Sequence, residues 1–383
     1  MAVYHQMGHD SENLVFDEEL ENYKGAILSP VNRDQADIER HVGGFRSKKD
    51  RFDIIFDPQL YFPRGQMETL RQWSYFPKAL ETHEQSDLNW WKGIVAELVS
   101  CCDTFKPNAI CSPMLLPRCN LTSDYYDLSI QVGDNLFETV VGSDTRAIQT
   151  ILVKLPELAD IENVYRLASV ITRAKCKEIY LVFTSEVPPR HELIPGDDVK
   201  GGMLLVSLLE SANYEVIVGM SSSDMILWKA AGATSCATGK YFNLRRFSVS
   251  RFEETTKGGR VIPYCFEEDL LSFVREGDLL RLLDVNIMSD ASNRNPAYQR
   301  IKRRLQVQGE YSPWLADSWR QFMFWFADAE KRLSDGLDAE SMLILAEEGW
   351  DKVDESGILM EERKNDGSWI RLWRRALREF RTI

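Results

Sequence analysis

The stretch YEVIVGMSSSDMILWKAAGATSCATGKYFNLRRFSVSRF, residues 214–252, runs through strand, helix, strand and basic loop without interruption, and its reading decides the fold. Tyr214 to Met220 is a short apolar run rich in β-branched residues and ended by serines, the pattern of a buried strand. Asp224 opens a segment with Met225, Ile226 and Trp228 at helical spacing, and Gly232 stops it. Thr234 to Thr238 is small and apolar enough for a second buried strand. Beyond it, Gly239, Lys240, Asn243, Arg245, Arg246 and Arg251 supply hydrogen-bond donors where that strand ends.

Working back toward the start, the same alternation repeats. Strand candidates lie at Tyr23 to Val31, Phe52 to Leu60, Ala109 to Leu115, Gln149 to Leu155 and Glu178 to Ser185. Helical patterns separate them, the clearest over Asn89 to Phe105 and Asp160 to Lys175. Arg260 to Phe266 offers a further edge or closing strand. Strands spaced by helices in this way specify a parallel α/β architecture, and the even spacing predicts a (β/α)8, TIM-like barrel. An open doubly wound sheet fits less well, because no GxGxxG follows the first strand. Past Glu267 the pattern turns to helices, with six of the ten tryptophans, at 314, 319, 325, 350, 369 and 373. We therefore divide the chain into a barrel, 1–266, and a helical, Trp-rich C-terminal domain, 267–383. The tryptophans read as core rather than as base-stacking platforms, and the arginine clusters at 300–304 and 371–381 read as solvated helix faces.

The formal net charge of −13 argues against a protein that coats nucleic acid with its whole surface, though a local basic groove is compatible with it. No apolar run approaches the roughly 20 residues that span a bilayer, so a cytoplasmic protein without a membrane segment is expected. Seven scattered cysteines do not form a disulfide framework, and Cys111 and Cys119 lack the spacing of a zinc knuckle. His5, His9 and Asp10 read as a terminal loop leading into a capped helix rather than as a metal cluster. Neither a metal nor a cofactor is expected.

In a barrel the reacting groups come from the carboxyl ends of the strands. Asp57, Lys154 and Glu186 occupy such ends. Asp57 and Lys154 are the candidate catalytic residues, Asp57 as acid, base or base-reading group and Lys154 as a polarising cation. Gly239, Lys240, Asn243, Arg245 and Arg246 form the candidate anion-binding loop, placed where barrels commonly hold phosphate. For Asp57 the plainer reading is a cap on the Asp57-Pro58 turn.

This closing third resembles the tRNA-guanine transglycosylase superfamily. The resemblance rests on Val218-Gly219, the serines 221–223, the helix from Asp224 to Ala231, Gly232 and the Asn243-Leu244-Arg245-Arg246 loop, with Asp57 similar in placement to the base-recognising aspartate. It implies a barrel and a nucleobase or nucleic-acid substrate. The chain departs from the family in three ways. Cys236, Ala237 and Thr238 stand where the nucleophilic aspartate belongs, Pro58-Gln59 replaces the Gly-Gly motif, and the zinc cysteines are missing. We expect a barrel enzyme acting on a nucleotide, nucleobase or nucleic-acid substrate by transferase or glycosidic-bond chemistry. The alternatives are a non-catalytic scaffold that docks a protein partner through its C-terminal helices, and an aldolase-like enzyme with Lys154 as Schiff base.

Overall fold

A parallel strand buried on both faces needs a near-continuous apolar run, and the longest strand has one: Ala147 to Val153 are all buried. The computed structural model describes residues 3–48, 51–65, 67–78, 84–117, 123–253, 262–288, 294–307, 314–361 and 366–383. Eight parallel strands close into a barrel in chain order: β1 (Val3–Gln6), β2 (Gly25–Leu28), β3 (Asp53–Phe56), β4 (Ala109–Cys111), β5 (Arg146–Lys154), β6 (Glu178–Thr184), β7 (Glu215–Gly219) and β8 (Ser235–Thr238). The (β/α)8 architecture expected from the sequence is therefore the observed one. Around it run α1 (Glu12–Val15), α2 (Gln35–Lys48), α3 (Glu68–Arg71), α4 (Leu88–Phe105), α5 (Ser123–Val140), α6 (Ile161–Ile171), α7 (Gly196–Ser211) and α8 (Met225–Ala230). Local chemistry sets their ends. Asp87 and Asp160 accept the backbone N–H groups of Asn89 and Glu162 at the starts of α4 and α6, and Lys106 in a left-handed conformation terminates α4.

Two elements differ from expectation. The first strand is Val3–Gln6, inside the segment read as a terminal loop, and it closes the barrel by pairing with β2 and β8. Its polar content hid it: Gln6 Oε1 accepts the Tyr180 hydroxyl at 2.8 Å across the interior, and Tyr4 donates to Asp53 at 2.7 Å. Gly219 makes room for that tyrosine, since a Cβ there would fall 2.4 Å from its ring. The closing strand expected at 260–266 lies elsewhere. Cys265–Glu267 (β9) pairs antiparallel with Ser272–Val274 (β10) as a small hairpin outside the barrel. Arg260 and Val261, like Cys119 and Glu254, fall outside the described residues. The hairpin also corrects the reading of a purely helical region beyond Glu267, and β9 runs across residue 266.

Five helices follow: α9 (Glu276–Asp284), α10 (Pro296–Gln306), α11 (Leu315–Ser334), α12 (Ala339–Ser356) and α13 (Ser368–Phe380). They pack on the α7–α8 side of the barrel and share one apolar core with it. Trp314, Trp325, Trp350, Trp369 and Trp373 are buried in that core, as their spacing predicts, with Trp319 half-buried beside it. The arginine clusters pair with acidic neighbours, Arg300 with Glu19 and Asp317, and Arg371 with Glu347. No helix among the described residues is long and apolar enough to cross a membrane.

Of the ion pairs that join barrel to tail, Arg300–Glu19, Arg320–Asp17 and Lys200–Glu379 are partly exposed and one is buried. Lys229 on α8 lies 3.1 Å from Glu330 on α11, whose side chain is fully buried. Removing the cation from a buried carboxylate is costly, so Lys229→Met should lose about 3 kcal/mol in urea denaturation, and Lys229→Met/Glu330→Gln should regain most of it. A loss below about 0.5 kcal/mol in the single variant would show that this pair does not hold the tail.

Candidate active site

The loop after β8 divides the barrel mouth. Arg251 turns back into the interior, where Nε donates to Gln59 Oε1 at 3.0 Å and Nη2 to Ser29 Oγ at 3.1 Å. Phe247 and Phe252 flank it, each within about 6 Å of the Tyr61 ring. Asp57 lies beneath this plug. Its carboxylate accepts from Gln59 N at 3.1 Å, Gln59 Nε2 at 3.0 Å and Tyr61 Oη at 2.8 Å. Burial pushes the Asp57 carboxyl up to about 6, against those hydrogen bonds and the Arg251 guanidinium, which lower it. Gln59 itself holds a left-handed backbone (φ +47°), a strained conformation of the kind found at functional sites.

The other half of the mouth is open as a cleft of about 1020 Å³ over β5 and β6. Lys154, the last residue of β5, stands on its floor about a third exposed, 3.8 Å from Glu157. The segment after β6, EVPPRHELIP, forms a wall and brings Glu186, Arg190, His191 and Glu192 to it. Arg190 and Arg275 both donate to the Tyr264 hydroxyl, at 2.6 and 3.0 Å. Ser368 and Trp369 of α13 complete the enclosure. The next turn of that helix pins the wall, since Trp373 Nε1 donates to Leu193 O at 2.7 Å.

Glu192 is 8% exposed and faces the cleft from the wall. Behind it, Arg246 Nη2 stands 3.7 Å from Glu192 Oε2 and 3.8 Å from Asp224 Oδ2. One guanidinium thus serves two buried carboxyls. Burial pushes Glu192 up to about 7, the Arg246 charge opposing and the Asp224 charge adding to the shift. Asp224 is also raised, again chiefly by burial. A carboxyl that keeps its proton to neutral pH beside others in different surroundings is the arrangement from which general acids are made.

The structure does not gather the residues singled out from sequence into one place. Lys154 is in the cleft, and Asp57 is beneath the plug. In the Gly239–Arg246 loop the cations meet protein groups. Lys240 donates to Asp10 O at 2.7 Å and lies over the Trp319 ring. Arg245 donates to Gly239 O and Lys240 O, each at 2.9 Å, with its guanidinium 3.8 Å from the centre of Phe322. Burial lowers this arginine to about 9. Arg246 donates to His191 O and faces the two carboxyls. Gly239 serves barrel closure, because a Cβ would fall 2.5 Å from Gln6 O, and Asn243 Oδ1 is buried without a hydrogen-bond partner. Glu157, Arg190 and Glu192 escaped sequence reading because they lie in a turn and on a loop with no periodicity. The available signal was charge interleaved with prolines immediately after a barrel strand. Among the described residues no group of three or more His, Cys, Asp or Glu side chains is placed to hold a metal ion.

No family model matches the chain, so the transglycosylase resemblance gains no support there, and no curated protein matches it. Among solved structures, it is similar to QR15, an aldolase, at 14% identity over 62% of this chain and 89% of that one, with a TM-score of 0.36. An enolase from Sargasso Sea environmental sequence shares 10% identity over 62% of this chain and 54% of that one, with a TM-score of 0.31. Dihydrodipicolinate synthase from Oceanobacillus iheyensis shares 9% over 100% and 97%, with a TM-score of 0.34. Superpositions this loose carry no argument about activity, and the assignment to the (β/α)8 barrels rests on the chain's own closed ring of eight parallel strands.

Proposed function

We propose that this chain is a barrel enzyme that cleaves or transfers a glycosidic bond of a small, nucleoside-sized substrate, with Glu192 as the general acid. The observation that carries the reading is the Glu192 carboxyl, held protonated to about 7 in a cleft that also presents Glu157 and Glu186. Glycosidic-bond chemistry asks for such a pair: one carboxyl protonates the leaving group, and a second, ionised, acts as base or nucleophile. Lys154 is placed to hold a substrate oxygen near Glu157, and Arg190 to meet an anionic substituent. The cleft carries more carboxylates (Glu157, Glu186, Glu192, Asp198) than cations (Lys154, Arg190), which favours a nucleoside, a nucleoside monophosphate or a sugar over a polynucleotide. Asp57 supports the site from below by orienting Gln59, which receives the Arg251 plug.

The full chain, incubated with nucleosides, nucleoside 5′-monophosphates and aryl glycosides, should release free base or aglycone, at a rate that falls as pH rises through about 7. Glu192→Gln should lower kcat by about 10²- to 10⁴-fold with substrate binding retained. Parental turnover in that variant would remove Glu192 from the chemistry. Stability provides a check independent of substrate. An unfolded chain ionises Glu192 near the ordinary value of 4.5, whereas the fold keeps its proton to about 7, so this group makes the parent less stable as pH rises between those values, with no further change above them. Glu192→Gln should lack that component of the slope in denaturation measured at pH 5 and pH 8. Asp57→Asn should unfold at lower denaturant than the parent, because an amide cannot accept all three of its hydrogen bonds.

A further inference from the structure

Two guanidiniums repel one another, so a fold that brings a pair onto one neutral atom has placed them there against their charge. Arg190, on the wall after β6, is exposed and lines the cleft, and its Nη1 donates to the Tyr264 hydroxyl at 2.6 Å. Arg275, the residue before α9, donates to the same oxygen through Nε at 3.0 Å. The two guanidiniums also stand 5.8 and 5.6 Å from the centre of the Tyr264 ring. A phenol is an uncharged acceptor, so Tyr264 orders both cations without neutralising either. The tyrosine is itself fixed: it is 6% exposed, its ring meets Phe242 edge-on at 5.3 Å, and its carbonyl accepts the Ser318 hydroxyl. Ser272 of β10 and Ser368 of α13 line the same cleft and add hydroxyl donors from the tail. Carboxylates face the cleft too, and Asp366 accepts the Ser368 N–H at 3.0 Å, so positive charge is gathered only where the arginines stand.

We infer that Arg190, Arg275 and Tyr264 form a subsite for a terminal phosphate, which makes a nucleoside monophosphate the substrate class of the reaction proposed above. A phosphomonoester carries about two negative charges at neutral pH and offers acceptor oxygens in several directions, enough to meet two guanidiniums at once. Each guanidinium has further N–H donors beyond the one it gives to the phenol, in a fork that suits phosphate. A carboxylate, with one charge and one plane of oxygens, matches a single arginine. A phosphodiester chain also brings one charge per group, and its length would lay further phosphates against Glu157, Glu186, Glu192 and Asp198. Lys154, from the floor, is left to the sugar.

The subsite rests on the glycosidic reading for its substrate, but its test needs no turnover. Inorganic phosphate titrated into the full chain and followed by phosphorus-31 NMR should bind. By calorimetry, at least one common ribonucleoside 5′-monophosphate should bind about tenfold tighter than its nucleoside. Arg190→Gln and Arg275→Gln should each remove that preference and leave nucleoside affinity at the parental level. Because Arg190 is exposed, Arg190→Gln decides the matter should Arg275→Gln fold poorly. No phosphate binding in the parent, equal affinity for nucleoside and monophosphate, or a parental preference in Arg190→Gln overturns the inference. A single-stranded oligonucleotide that binds more tightly than any monophosphate also overturns it, in favour of a polynucleotide track. If Glu192→Gln turned over substrate like the parent while the phosphate preference held, the reaction would fail and the subsite stand. Nucleosides and monophosphates cleaved with equal kcat/KM in the parent and in Arg190→Gln would sink the subsite alone.

Discussion

The guanidinium of Arg251, turned back into the barrel and held by Gln59 and Ser29, is the constraint on which the working half of the molecule depends. A parallel barrel gathers its strand ends around one mouth, and an unobstructed mouth would let side chains from all eight strands meet. Here an arginine flanked by Phe247 and Phe252 occupies the side over β1 to β3 and leaves the space above β5 and β6. Burying that cation is tolerable because Asp57 lies near it and the intervening amide and hydroxyl are ordered. The same packing removes Asp57 from solvent, so the carboxylate that stood out in the sequence became a foundation for the mouth. In the reaction we propose, proton transfer falls to a glutamate on a loop.

Strand periodicity made most of the barrel legible, since β2 to β8 each contain an apolar run that reads as buried whatever its neighbours. β1 did not read this way. Val3–Gln6 carries His5 and Gln6 in four residues, and the partner that takes up Gln6 Oε1, Tyr180, comes from the far side of the ring. The β9–β10 hairpin was hidden for a similar reason: three-residue strands beside a leucine-rich segment give no period long enough to distinguish them from a helix. The helical tail, by contrast, was readable down to the burial of its tryptophans.

The site was harder to read because burial, not residue type, gives Glu192 its character. A glutamate in EVPPRHELIP looks like any loop glutamate until Arg246 and Asp224, from two other connections, are brought against it. Lys154 was visible because a lone cation at the end of an apolar strand contrasts with its neighbours. The basic loop after β8 was visible too, but composition cannot reveal that Arg245 faces Phe322 and backbone carbonyls, and so is occupied within the fold. Charge in a sequence marks capacity, and only packing shows where it is used.

The wall supplied by α13 also has a consequence for how the cleft is assembled. The last strand of the ring ends at Thr238, yet the cleft is bounded by Ser368 and Trp369, and its Glu192-bearing segment is tethered by Trp373. In chain order all eight strands precede the helix that finishes the cavity, so the pocket depends on a segment that takes no part in the ring of strands. The cavity is therefore complete only when α13 is docked against the wall.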